Sequence, residues 1–191
     1  MVVSHGDTFN FGCVYAQEVL ALRPDVACLS PKMLGHRWYR DRITARHPDL
    51  VLQEGGVALQ LPEFVVANAD RRPVYISVRI PLVAPEVVGI IPPTWPAAGT
   101  LLRVSGRGQF PPPPDVVEAA LMRDWDGFVL RSSLVDEAEL DEVLESTVWD
   151  HYGLVWTTLA SGYAFSGEDA GRLRCEARAR ELSPWLLASR P

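Results

Sequence analysis

Apolar residues in this chain fall into two kinds of run. Short aliphatic or β-branched clusters, Val2-Val3, Val26 to Leu29, Val74 to Val78 and Thr100 to Val104, are separated by stretches in which apolar side chains recur every three or four positions. The first kind predicts buried strands, the second helices with one apolar face. From Thr8 onward, Phe11, Val14, Tyr15, Val19 and Leu22 form such a face, with Asp7 placed to cap the helix. Pro24 ends it, because the residue before a proline resists the helical region. Ser30-Pro31 supplies an N-cap and a first-turn proline for a second helix running to about His47 and stopped by Pro48. Leu50 to Leu61 holds one or two strands around Gly55-Gly56, and Pro62 to Asn68 reads as a short helix. Arg72 to Val78 is the clearest strand, whereas Pro81 to Ala98, with prolines at 81, 85, 92, 93 and 96, reads as irregular.

Strands alternating with helices predict an α/β fold over 1–105: a mainly parallel sheet with helices on both faces, a Rossmann-like three-layer arrangement. Residues 106–114 hold Gly106, Gly108 and four consecutive prolines, a semi-rigid linker. Beyond it, 115–191 reads as a helical subdomain packed on the first domain, with helices over Val116–Met122, Glu137–Ser146, Val148–Phe165 and Glu168–Leu182. The last two resemble one tetratricopeptide-type hairpin. Trp156, Ala160, Tyr163, Gly167, Ala179 and Pro184 match that pattern, and Arg172 and Glu176 depart from it.

The 191 residues are 48% hydrophobic, enough for a core without metals or disulfides. A net charge of −6 argues against nucleic acid as a partner. The charge is uneven, however. Lys32, Arg37, Arg40, Arg42 and Arg46 stand against Asp41 alone, while eleven acidic residues between Asp115 and Asp150 face only Arg123 and Arg131. Cys13, Cys28 and Cys175 sit among apolar neighbours and read as buried free thiols, with a disulfide between two of them left open. No run of about 18 apolar residues occurs, so no membrane span is expected, and Met1 runs straight into a strand without a signal-peptide pattern.

Candidate chemistry is sparse. Gly6-Asp7-Thr8 lies where the first strand meets a helix, the edge at which open parallel sheets bind ligands. Asp7 has the wrong sign for a phosphate, so the turn suits a sugar hydroxyl or an amine, or Asp7 simply caps the helix. His5 beside Asp7 is too few ligands for a metal, and neither a metal nor a cofactor is expected. Arg23-Pro24-Asp25 reads as a loop fixed by local pairing. Trp38 shares a face with Leu34 and reads as core, while Tyr39 reaches the edge of a cleft. The basic helix from Lys32 to Arg46 is either a solvated face or a surface for anionic headgroups or pyrophosphate. The acidic block lacks the pattern of a calcium loop, and Gly106-x-Gly108 precedes prolines rather than a helix, so a dinucleotide fingerprint is rejected. No hydrolase elbow, phosphate loop or zinc-protease motif occurs, and no catalytic residue is assigned.

One pattern remains. Gly6-Asp7-Thr8, Tyr15, Gln17-Glu18-Val19, Arg23-Pro24-Asp25-Val26, Met33-Leu34 and Trp38-Tyr39 occur in an order that resembles the soluble part of a family of multi-spanning membrane proteins. That family includes the animal protein O-mannosyltransferases acting on plexin-type immunoglobulin-like domains. The resemblance implies a non-catalytic, extracytoplasmic domain, periplasmic or luminal, of a glycosyltransferase-like protein. Its implied partners are the membrane-embedded part of the parent, an acceptor polypeptide or a lipid-linked sugar. It marks Gly6, Asp7, Thr8, Asp25 and Tyr39 as candidate ligand positions and Tyr15, Glu18, Arg23, Pro24 and Trp38 as defining the domain. Asn10 and Phe11 depart from many relatives. Two other readings stand beside it: a small α/β enzyme or sugar- or phosphate-binding protein using the Gly6-Asp7 edge, and a helical protein-interaction module.

Overall fold

In the computed structural model, residues 1–5, 7–54, 57–78, 94–127 and 142–184 are described. The strands are β1 (Val2–Val3), β2 (Cys28–Leu29), β3 (Gln53–Glu54), β4 (Val57–Ala58), β5 (Val74–Ser77), β6 (Thr94–Ala98) and β7 (Leu101–Val104). The helices are α1 (Asp7–Val14), α2 (Arg37–Arg46), α3 (Leu61–Ala69), α4 (Pro114–Gly127), α5 (Glu142–Ser166) and α6 (Asp169–Leu182). A five-stranded mixed sheet has the order β2-β1-β5-β7-β6, and β3 and β4 form a separate antiparallel pair. The chain is thus of the α/β class. Among the described residues, no helix is long and apolar enough to cross a membrane.

The chain divides into two compact units, 1–94 with 103–110, and 95–102 with 111–191. In the first unit β1 is parallel to both its neighbours, Val2 opposite Cys28 and Tyr75, and Val3 opposite Leu29 and Ile76. Val3, Leu29, Val74 and Ile76 share one face of the sheet and have no exposed surface, while Val2, Cys28 and Tyr75 on the other face are half-buried. Asn68, at the end of α3, is equally buried and fully used. Its side chain accepts from the Val51 N–H (3.0 Å) and donates to the Val51 (3.0 Å) and Phe64 (2.8 Å) carbonyls. One amide therefore ties the loop before β3 to α3.

In the second unit α5 and α6 form a helical hairpin. Gly167, at φ 78°, is the left-handed residue that ends α5, and the Gly167 and Glu168 N–H groups return to the Ala164 and Tyr163 carbonyls. A side chain on Gly171 would strike the Tyr163 ring, so the small residue sets how closely the helices approach. The Tyr163 hydroxyl donates to Glu118 of α4, which also pairs with Arg174 of α6 at 3.0 Å. Burial works to raise the Glu118 carboxyl, but the hydrogen bonds from Arg174 and Tyr163 outweigh it and hold it below its usual value.

Several expectations change. The strand at Thr94–Ala98 lies in a stretch that reads as irregular; Pro96 is accommodated because β6 is the edge strand. The single helix expected from Ser30 to His47 is broken. A 3-10 turn at Pro31–Met33 precedes α2, and Ser30 makes no side-chain cap. Arg40 donates to the Leu34 carbonyl (2.7 Å) where the break falls. The two helices expected between 137 and 165 are one, from Glu142, and 128–141 lie outside the described residues.

Asn68→Leu removes all three hydrogen bonds and leaves both half-buried Val51 backbone groups without their side-chain partner. The expected loss is about 2–4 kcal/mol of unfolding free energy by urea titration. A loss below about 1 kcal/mol would show that the loop is held by other contacts.

Candidate functional site: a basic cleft between α1 and α2

The site begins with an irregularity in the first helix. After Val14 the chain widens into a π-helical turn, Tyr15–Val19, closed by Leu20 N–H to Tyr15 O at 3.2 Å. It then reverses through Ala21 (φ 52°) and Arg23 (φ 47°), both left-handed without being glycine. Each costs about 1–2 kcal/mol relative to ordinary backbone. Gln17 offsets part of that cost, donating to the Val26 carbonyl at 2.6 Å and the Arg23 carbonyl at 3.1 Å. Arg23 and Asp25 close the loop with a two-pronged pair at 2.8 and 2.7 Å. That hydrogen bonding pulls the Asp25 carboxyl down to about 2.

This turn orients α1 with Asn10, Cys13 and Gln17 inward, toward Cys28 of β2 and toward α2. Between the two helices lies a cavity of about 330 Å³. Tyr39 stands in its wall, its hydroxyl accepting the Ser30 N–H at 3.1 Å, and burial raises its pKa. Met33 and Ile43 supply apolar surface, with Phe11 and Val14 at the mouth. The charged lining is Lys32, Arg42 and Arg46, with half-buried His47 beside them and no carboxylate among the lining residues. Glu18, on the π turn, reaches Arg46 at 2.5 Å and Arg42 at 3.9 Å, so it holds both guanidiniums at the cleft while cancelling one charge. Burial, with Arg72 and Arg46 nearby, lowers the His47 pKa and favours the neutral ring.

The structure brings together only part of the predicted set. Tyr39 lines the cavity as expected. Asp25 does not; it is exposed and committed to Arg23. Gly6 and the side chains of Asp7 and Thr8 lie outside the described residues, and α1 begins at Asp7 itself. Trp38 is 56% exposed rather than core, stacked with His36 and edge-on to Tyr39. The apolar face of α1 also points outward, Phe11 at 71% and Tyr15, Val14, Val19 and Leu22 all above half. The reason is that Gln17 has hydrogen-bonding partners inward, at the Val26 and Arg23 carbonyls and the Cys28 sulfur, which turns Asn10 and Cys13 to the cavity side with it. Pro24 does not end the helix, which finishes at Val19.

Sequence reasoning missed Cys13, Cys28, Gln17 and His47 as lining residues and gave Arg42 and Arg46 only a general role. The four-residue spacing of the two arginines was the one available signal. Cys175 is buried as expected, but Cys13 and Cys28 are half-buried. Among the described residues no group of three His, Cys, Asp or Glu side chains could hold a metal ion.

The lowered His47 pKa has a definite sign. The unfolded chain takes up its imidazole proton near pH 6.5, the folded protein only at lower pH, so the stability that depends on neutral His47 is present above that point and lost as pH falls below it. Between about pH 7.5 and about pH 5.5 the urea midpoint of the native chain should fall more steeply than that of His47→Asn. Parallel profiles would contradict the burial of this ring. Comparison of the chain with protein families, curated proteins and solved structures returned no match, so the reading of the cleft rests on its own geometry.

Proposed function

We propose that this chain is a non-catalytic binding domain, the soluble extracytoplasmic part of a glycosyltransferase-like membrane protein. Its α1–α2 cleft receives the anionic head of a phosphate-bearing ligand with an apolar extension, as in a lipid-linked sugar. The observation that carries this reading is the lining itself. Lys32, Arg42 and Arg46 converge on a cavity whose apolar surface comes from Met33 and Ile43 within and Phe11 and Val14 at the mouth, with Tyr39 in its wall. Guanidinium groups suit phosphate oxygens, and a volume of about 330 Å³ suits a small ligand. The extracytoplasmic address comes from the resemblance in the first forty residues. On this reading the parallel β2-β1-β5 portion belongs to a Rossmann-like three-layer body, and the α5–α6 hairpin is a tetratricopeptide-like unit.

A second reading has its own observation. Phe11, Val14, Tyr15, Val19 and Leu22 are each more than half exposed, and a group of exposed apolar side chains of this kind marks an interaction surface. It supports α1 as the face covered by the membrane-embedded part of the parent protein or by an acceptor polypeptide.

Titration with geranyl phosphate, inorganic phosphate and geraniol separates the head from the tail. Geranyl phosphate should bind and raise the unfolding midpoint, inorganic phosphate should bind more weakly, and geraniol should do nothing. Arg46→Ala should weaken geranyl phosphate about tenfold. Equal binding of geraniol, or no response to either anion, would remove the proposal. For the second reading, Tyr15→Ser and Val19→Ser should leave stability within about 0.5 kcal/mol in urea titrations. Larger losses would mean the row is already packed within the isolated chain.

A further inference from the structure

We propose that Cys13 and Cys28 form a reversible dithiol–disulfide pair, whose oxidation pins α1 onto β2 in the wall of the cleft. The three cysteines differ in their surroundings. Cys175 has no exposed surface and burial pushes its thiol up to about 12, so it is inert. Cys13 and Cys28 are half-buried, line the same cavity, and are close enough for each thiol to shift the acidity of the other. They are brought together by the fold, one from a helix and one from a strand, across a loop of about 15 residues. The Gln17 amide approaches the Cys28 sulfur at 3.8 Å. The neighbouring Cys13 thiol lowers the Cys28 pKa, and the same neighbour raises that of Cys13. Cys28 is therefore the more acidic thiol and the better nucleophile of the pair, and Cys13 the resolving thiol, the division of labour that thiol–disulfide exchange requires.

The co-reactant is a disulfide reagent, either a small molecule or a protein. The Cys28 thiolate attacks one sulfur of that disulfide, forming a mixed disulfide and expelling the first thiolate, which takes up a proton. Cys13, giving up its proton, attacks the Cys28 sulfur and expels the second thiolate. Two protein thiols are oxidised by two electrons, the reagent is reduced to two thiols, and both protons end on the reagent. The cavity supplies access for the reagent to both sulfurs.

The test uses the full chain in mixtures of oxidised and reduced glutathione. Oxidation should give an intact mass lower by two hydrogens, a linked Cys13–Cys28 peptide, and Cys175 that reacts with iodoacetamide only in denaturant. The unfolding midpoint should rise by about 6–12 °C and return with dithiothreitol. Cys13→Ser should instead retain glutathione on Cys28 and show no rise. A link through Cys175 would overturn the proposal, as would persistent glutathione adducts on the native chain. So would a crosslink that forms only in urea or one that lowers the midpoint.

Discussion

Backbone hydrogen bonding along both edges of β1 is the constraint from which the first unit is built. Val2 N–H reaches Ala27 O at 2.8 Å, Ser4 N–H reaches Leu29 O at 3.0 Å, and Tyr75 N–H reaches Met1 O at 2.9 Å. A strand only two residues long is weak in isolation. It persists because Val3 is wholly buried between Leu29 and Ile76, where an unpaired peptide group would be costly. Holding β2 in that register places Cys28 and Ser30 beside α1 and α2. The cleft follows from that placement.

The cleft combines features that oppose each other energetically. Two left-handed non-glycine residues and a π turn are local costs, while cations gathered around one cavity repel one another. Gln17 and Glu18 are the compensating residues, adjacent in sequence and directed to different jobs: Gln17 secures the backbone of the return loop, and Glu18 holds Arg42 and Arg46. Such a concentration of locally unfavourable elements is expected where binding, rather than stability, sets the geometry.

The second unit is organised on another principle. Its helices meet through apolar residues such as Val155, Trp156, Leu159 and Ala179, and their approach is set by Gly171 against the Tyr163 ring. Glu118 then ties three helices through Tyr163 and Arg174, with the Arg174 guanidinium 5.9 Å from the Tyr163 ring centre.

Element identity was largely legible along the chain. β1, β2, β5, α3 and the α5–α6 hairpin lie where apolar runs, prolines and Gly167 put them, because propensity, capping and turn chemistry act over a few residues. Tyr39 at a cleft edge was legible for the same reason, its position on α2 being set by helical spacing. Which face of α1 turns inward was not. Periodicity chose Phe11, Val14, Tyr15 and Val19, yet the partners of Gln17 on β2 and in the return loop turned Asn10, Cys13 and Gln17 to the cavity side instead. The meeting of Cys13 with Cys28, and of Glu18 with Arg42 and Arg46, likewise depends on parallel strand pairing that no local pattern encodes. Short-range preferences determined the parts of this protein; the requirement to satisfy buried polar groups across distant segments decided which side chains share the cleft.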